Sequence, residues 1–256
     1  MNVLYSLLKA DLYRALLSLN FILSIIFIFF VMFISCFGFI TNTSDAISLL
    51  GHALTGSGSA LFILCIAPIL PYGMSFASDL EDKAVPFWVI RTGRTDYAIS
   101  KFISSAIAGF LSVGIGIVVF MLVMSSFFPL FNSISAGDSY AVLLEYNKPV
   151  MYVFAIAAHY SLSAVLFAGG AIAVSALIPN KLTVMAAPIV IYFVLMRLTD
   201  LAPIPMFLKA SFLVQGIYPG VDPLTAFLYK LIPVVGISGI LLTLTIRQIK
   251  KRLEMS

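Results

Sequence analysis

Residues 21–40 form a run of twenty residues without one charged side chain. An α-helix of about twenty residues is about 30 Å long, which matches the hydrocarbon thickness of a bilayer. A soluble protein has few places for such a run on its surface, whereas a helix that crosses a membrane requires it. The run therefore predicts a first membrane span, and lipid becomes the expected solvent for the rest of the chain.

The composition extends this expectation to the whole chain. Its 256 residues are 61% hydrophobic and only 10% charged, against roughly half and a quarter in soluble domains. We predict one all-α integral membrane domain over residues 1–256, with no room for a separate catalytic domain. Six transmembrane helices are expected, at residues 21–40, 60–77, 102–128, 149–178, 182–196 and 224–246. Residues 41–59 are expected to form an outer loop, and Pro68 and Pro71 predict a kink in the second span.

The N-terminal segment 1–20 is amphipathic. One face carries leucines at helical spacing, Leu4, Leu8, Leu12, Leu16 and Leu19. Lys9 and Arg14 fall elsewhere, where they can approach lipid headgroups. The segment is too polar to span, so we predict an interfacial helix. A frayed cytoplasmic lead-in is the alternative.

Residues 201–222 form an unusual stretch before the last span. Pro203 and Pro205 open it, and the apolar residues 206–215 are predicted to be helical. Ten helical residues reach only ~15 Å, about half of the hydrocarbon thickness. This length favours a re-entrant segment in the outer leaflet over an exposed loop.

The distribution of basic residues predicts the orientation. Eleven of the fifteen Lys and Arg residues fall on the side of the termini, and four fall on the opposite side. Basic residues accumulate in cytoplasmic loops. We therefore expect a multi-pass protein of the cell membrane with both termini in the cytoplasm. The net charge of +4 gives no support for nucleic-acid binding.

The central stretch 78–101 separates two long apolar runs and is rich in charge. Three acidic residues, Asp79, Glu81 and Asp82, end the second span. Pro86 can begin a short helix and Gly93 can end it, so residues 86–92 are predicted to be helical. This helix carries Trp88 beside Arg91, both frequent anchors of protein interfaces. Trp88 as an anchor in the headgroup belt is an equally good interpretation.

This order of features resembles the type-2 family of ABC transporter permeases, the six-span exporters. In that family an elbow helix precedes span one, span two ends in an acidic residue, and a short coupling helix leads through a basic turn and a lysine into span three. The matching residues here are Glu81, then Phe87-Trp88-Val89-Ile90, then Arg91-Thr92-Gly93-Arg94, and then Tyr97 and Lys101. Lys83-Ala84-Val85 stand where the family often has Gly-Thr. The resemblance extends to the segment before span six, which is similar to the outer gate helices.

The resemblance implies a subunit of an ATP-driven exporter and not an enzyme in itself. The chain has no GxxxxGK[ST] phosphate loop, so ATP and Mg are expected in two copies of a separate ATPase. A second copy of this permease, membrane lipid and an amphipathic or hydrophobic substrate complete the expected partners. The ATPase-coupling residues that the resemblance implies are Glu81, Asp82, Phe87, Trp88, Arg91, Gly93 and Arg94.

The cargo is less constrained. We expect amphipathic peptides of the antimicrobial or toxin type, with small drugs or lipid-linked molecules as the alternative. Candidate pathway residues are His159 near the middle of span four, and Arg197 and Lys230 near outer span ends. A neutral, hydrogen-bonded His159 and snorkelling basic side chains are the competing interpretations. If the basic residues face a pathway, they favour acidic substrates.

Two other functional classes have less support. An integral membrane enzyme needs clustered polar groups within the spans, and an ion-coupled carrier normally shows buried carboxylates or broken helices. No Asp or Glu falls within a predicted span. We predict no catalytic residue, no cofactor site and no metal site in this chain, and we expect Cys36 and Cys65 to be free buried thiols.

Overall fold

The computed structural model describes residues 3–41, 44–55, 58–132 and 137–254, and every regular element in that part is helical. Helices account for 82% of the chain. The prediction of an all-α protein is confirmed. The α-helices in the described part are α1 (Val3–Leu16), α2 (Leu19–Cys36), α3 (Ala46–Thr55), α4 (Ser59–Leu61), α5 (Ser75–Glu81), α6 (Val85–Thr92), α7 (Arg94–Phe127), α8 (Ala141–Glu145), α9 (Pro149–Leu177), α10 (Lys181–Leu201), α11 (Ala210–Gln215) and α12 (Pro223–Glu254).

In the described part of the chain, five helical stretches are long and apolar enough to cross a membrane: Leu19–Phe39, Arg94–Phe127, Pro149–Leu177, Lys181–Leu201 and Pro223–Arg252. They coincide with predicted spans one, three, four, five and six. A further pair, Ala46–Thr55 and Ser59–Ile69, passes the same test only when taken together, and its two parts meet at 81°. By length and composition, the described residues therefore contain five helices able to cross a membrane, or six if this bent pair counts as one, which indicates a multi-pass membrane protein.

The second span differs from its prediction. It was expected as one helix over 60–77 after an outer loop over 41–59. Instead α3 lies in the expected loop, and the following segment passes through a π-helical turn (Phe62–Ile66) and a 3-10 turn (Ala67–Ile69) before α5 begins. Pro71 has no N–H to offer the Ala67 carbonyl four residues earlier, and that carbonyl accepts the Ser24 hydroxyl at 2.8 Å. Pro68 and Pro71 thus break the helix, and a neighbouring span satisfies the exposed backbone.

Two opposite faces of the helical bundle can be distinguished. On the first, α1, α6 and the end of α12 lie together, and Arg94 Nη1 is 3.1 Å from Glu254 Oε1. We call this face the terminal side. On the second, which we call the far side, Asp45 ends the turn before α3 and accepts the backbone N–H groups of Ser48 and Asn132.

The centre of the bundle is the contact between α7 and α9, which small residues make close. Ser105 Oγ on α7 donates to the Ala168 carbonyl on α9 at 3.1 Å. At Gly109 an added Cβ would lie only 2.7 Å from the Cβ of Ala168. Larger residues would separate the helices, so this face of α7 serves packing within the chain. By contrast, few residues of α10 and α12 are buried.

The segment before α12 folds back against α10 on the far side. The helix predicted over 206–215 is shorter: a 3-10 turn (Met206–Leu208) precedes α11, with Lys209 between them. The hydroxyl of Thr199 accepts the N–H of Ala210 at 3.0 Å, which caps the start of α11. Asp222 then caps α12, and its bonds from the Thr225 hydroxyl and N–H lower the pKa of the Asp222 carboxyl.

Candidate functional site

One face of α6 packs against the rest of the protein, and the opposite face is exposed. Proline at its start and Gly93 at its end delimit it, and Gly93 has a φ of +84°, a conformation that favours glycine. Val85 is fully buried in a small apolar cluster, and Trp88 and Val89 pack against that cluster. Phe87 and Ile90, three residues apart, are 72% and 83% exposed. The outward face of α6 is therefore an apolar pair on the terminal side.

Trp88 faces inward, in contrast to its expected role as a partner anchor or a headgroup anchor. The guanidinium carbon of Arg14 on α1 lies 5.7 Å from the centre of the Trp88 ring. This contact fastens α6 to the N-terminal helix, at a distance at which cation–π attraction is significant. Trp88 is thus positioned to orient α6, while Phe87 and Ile90 are free to contact other molecules.

Beneath α6 lies a buried ionic network centred on Lys101, which is 1% exposed. Its ammonium group lies 3.2 Å from Asp11 Oδ1, 2.9 Å from Asp79 Oδ2 and 2.8 Å from the hydroxyl of Tyr72. All three ammonium hydrogens therefore have acceptors. We call Asp11, Tyr72, Asp79, Tyr97, Ser100 and Lys101 the lysine network. It ties together α1, the turn before α5, α5 itself and the start of α7.

The remaining polar atoms of the network are also paired. Ser100 Oγ donates to Asp11 Oδ2 at 2.6 Å, and the Tyr97 hydroxyl donates to Asp79 Oδ2 at 2.8 Å. Arg14 Nη2 lies 3.9 Å from Asp79 Oδ1, at the rim of the network. Lys101 and Arg14 thus balance two carboxylates. Satisfied networks of this kind fix the relative positions of the elements that contribute to them.

A polar cavity of about 400 Å³ adjoins the lysine network. Its charged lining residues are Arg14, Asp79, Asp82, Lys101 and Lys181, and three serines and one proline are among the others. Polar space on the terminal side therefore adjoins the lysine network.

The other predicted coupling residues lie around this region, on the surface. Glu81 Oε2 is 2.6 Å from Lys181 Nζ, and both side chains are about half exposed. Arg94 pairs with Glu254, as described above. Asp82 and Arg91 are exposed, and neither makes an ion pair within the described residues. The structure thus gathers the predicted residues on one side and gives two of them partners in their own chain.

Sequence reasoning missed the lysine network. Asp11 was read as part of an interfacial helix, and Asp79 as the polar end of a span. Asp11 falls on the face of α1 that carries Leu7 and Ala15, at spacings of four residues, and this face is the buried one. An acid flanked by apolar residues at that spacing was the available signal for a buried partner.

On the far side, His159 is fully buried and fixed by two bonds. Its Nε2 lies 2.9 Å from the Gly216 carbonyl, and its Nδ1 lies 2.9 Å from the Tyr140 hydroxyl. Because a carbonyl can only accept, Nε2 carries the hydrogen, and Nδ1 of the neutral ring accepts from Tyr140. Burial raises the pKa of the Tyr140 hydroxyl, which keeps it protonated as a donor.

Three more side chains donate hydrogen bonds to carbonyls at the C-terminal end of α11. Ser163 donates to the carbonyls of Leu213 and Val214 at 3.2 and 2.8 Å. The Tyr160 hydroxyl reaches the Gln215 carbonyl at 3.4 Å, and Lys230 Nζ reaches the Val214 carbonyl at 3.4 Å. These carbonyls have no partner within so short a helix, so α9 and α12 supply the missing donors. We call these four donors, His159, Tyr160, Ser163 and Lys230, the carbonyl socket.

Of the three predicted pathway residues, two belong to the carbonyl socket and one does not. His159 and Lys230 both contact the end of α11, and Lys230 lies over the Tyr160 ring at 5.2 Å. Arg197 is exposed on α10. Among the described residues, no group of three or more His, Cys, Asp or Glu could hold a metal ion, and Cys36 and Cys65 are free and buried.

No protein-family model, curated protein or solved structure matches this chain.

Proposed function

We propose that this chain is the membrane-spanning subunit of an ATP-driven exporter of the type-2 ABC permease class. Two copies would pair with two ATPase subunits that bind ATP and Mg, in a cell membrane, with both termini cytoplasmic and six spans if the bent segment crosses. α1 is then the elbow helix, α6 the coupling helix, and α11 part of a re-entrant outer segment. The proposed cargo is an amphipathic peptide, with small drugs or lipid-linked molecules as the alternative.

The observation that carries this proposal is that one face of α6 packs against the protein while the other is exposed. Val85, Trp88 and Val89 hold the helix to the protein, while Phe87 and Ile90 project from the terminal side. Two large apolar side chains at this spacing fit a hydrophobic groove on another protein. Trp88 contacts α1, and the lysine network joins α1 to α5 and α7. A movement of the partner against α6 would therefore be transmitted to α1 and α7.

Replacing Phe87 and Ile90 together with alanine is expected to abolish capture of the ATPase. Anchors of this size commonly contribute more than 1 kcal/mol each, so binding should weaken by about tenfold or more. The tagged chain is purified from its native membrane, and co-purifying proteins are identified by mass spectrometry. The wild type should bring down a protein with a phosphate-binding loop, and the double variant should not.

The matched control is Leu198→Ala with Leu201→Ala, an equally exposed apolar pair with the same spacing at the far end of α10. It should leave the capture unchanged. The proposal fails if no phosphate-loop ATPase accompanies the wild type, or if the control loses it as completely as the α6 variant.

An ion-coupled carrier is the second candidate, and one observation favours it. Asp11, Asp79 and Lys101 are buried beside a polar cavity, and the second span is broken, which are features of carriers. Transport into vesicles that contain the purified chain alone, driven by an ion gradient without ATP, would support the carrier and exclude the exporter.

A further inference from the structure

A second polar cavity, of about 520 Å³, lies on the far side between α3, the first turns of α9 and the end of α11. This is a volume typical of sites for small ligands or side chains. Ile47, Leu50, Leu54 and Ile156 form much of its apolar wall. We call it the far-side cavity. It is separate from the polar cavity beside the lysine network, which opens on the terminal side.

Asp138 is the only acidic residue among the described residues that line the far-side cavity, and no Lys or Arg lies among them. Its carboxylate is held by one donor on each oxygen: the Tyr140 N–H is 2.8 Å from Oδ1, and the Tyr152 hydroxyl is 2.8 Å from Oδ2. Asp138 makes no ion pair within the described part of the chain. Among its described lining residues, the cavity therefore presents one carboxylate that makes no ion pair, and His52 is the one basic side chain beside it.

Aromatic side chains stand beside this carboxylate. Tyr152 and Tyr160 both line the cavity, and the electron-rich faces of such rings attract cations. The nearest basic side chain of the carbonyl socket, Lys230, is buried against the Tyr160 ring and does not line the cavity. A carboxylate, tyrosine rings and an apolar wall together match a ligand that carries a positive charge on an apolar body.

We propose that the far-side cavity binds the cationic side chain of an amphipathic peptide, a lysine or arginine, with Asp138 as its counter-ion. This inference rests on the proposed function in taking that peptide to be the cargo. It reverses the expectation that basic pathway residues favour acidic substrates, since the charged group that the cavity offers is a carboxylate.

Asp138→Asn tests the inference with little change of shape, because the amide oxygen can still accept from the Tyr140 N–H. The probe is a fluorescent amphipathic peptide with one lysine, compared with its glutamine analogue by anisotropy on the purified chain in detergent. The wild type should bind the lysine peptide about fivefold more tightly than the analogue. Asp138→Asn should remove this preference.

Glu145→Gln is the matched control, since Glu145 is an exposed acid on α8 of the same side that does not line the cavity. It should retain the preference. Should the Asn variant unfold, Asp138→Ser, whose hydroxyl oxygen can still accept from the Tyr140 N–H, should likewise lack the preference. Equal binding of both peptides to the wild type, a preference that survives in the Asp138 variant, or an equal loss in the Glu145 variant would overturn the inference.

The assay contains no ATPase, so its failure leaves the exporter proposal standing. The opposite result is also distinguishable: the lysine preference depends on Asp138, but no ATPase co-purifies with the chain. The cation site would then be supported, and its assignment to an exported cargo would be rejected.

Discussion

Replacing Lys101 with methionine is expected to lower the free energy of unfolding by about 3–5 kcal/mol. Methionine fills a similar volume but removes the ammonium group that Asp11, Asp79 and Tyr72 share. Two buried carboxylates would then lie close to each other without a buried cation, with only Arg14 at the rim. The free energy is measured by denaturant titration of the purified chain in detergent micelles.

Lys181→Met is the control for this experiment. Lys181 also contacts a carboxylate, that of Glu81 at 2.6 Å, but both side chains are about half exposed. Pairs of this kind contribute less than about 1 kcal/mol, so the control should change stability little. An equal loss of unfolding free energy in the two variants would show that burial of the lysine network does not determine its contribution to stability.

A variant that removes the charges together separates the two possible causes. Adding Asp11→Asn and Asp79→Asn to Lys101→Met eliminates the uncompensated carboxylates, and stability should recover in part, because neutral amides cost less to bury than ions. If the triple variant is no more stable than Lys101→Met alone, the loss arises from packing and not from charge.

Replacing His159 with phenylalanine is expected to destabilise the far side by about 2–4 kcal/mol. Phenylalanine keeps an aromatic side chain, although a larger one, and the Gly216 carbonyl and the Tyr140 hydroxyl both lose their buried partner. Since the end of α11 is held mainly by side chains of other helices, its amides should exchange with solvent faster. Hydrogen exchange read by mass spectrometry, together with denaturant titration, measures both effects.

Tyr192→Phe is the corresponding control. The Tyr192 hydroxyl is buried on α10 and has no hydrogen-bond partner within the described residues, so its removal should leave stability unchanged or raise it. If exchange at α11 rises equally in both variants, the carbonyl socket does not hold that helix.

The features that sequence reasoning predicted well are those with local causes. The uncharged run 21–40 was predicted to be a span, and it lies almost wholly in a helical stretch, Leu19–Phe39, that is long and apolar enough to cross a membrane. Likewise α6 begins beside Pro86 and ends before Gly93, because proline and glycine act on the backbone wherever the chain places them. Such signals can be recognised from the sequence alone, because they do not depend on which residues pack nearby in the fold.

The features that were missed depend on contacts between distant residues. Asp11 and Lys101 are 90 positions apart, and Tyr72 is 61 positions from Asp11, so no spacing within one helix could pair them. The inward direction of Trp88 has the same origin, since it depends on Arg14 of another helix. Pro68 and Pro71 predicted a kink in the second span, but not the π-helical turn before it, nor the hydrogen bond that Ser24 of another helix donates to the Ala67 carbonyl.

The most direct test of the proposed function is a photo-crosslinking residue placed at Ile90 of the full-length chain in its native membrane. We expect a crosslink from this position to a protein with a phosphate-binding loop, and none from the same residue placed at Leu201, which is similarly exposed on the far side. Crosslinks from position 90 to lipid alone, or to proteins without such a loop, would contradict the assignment of α6 as the contact with an ATPase.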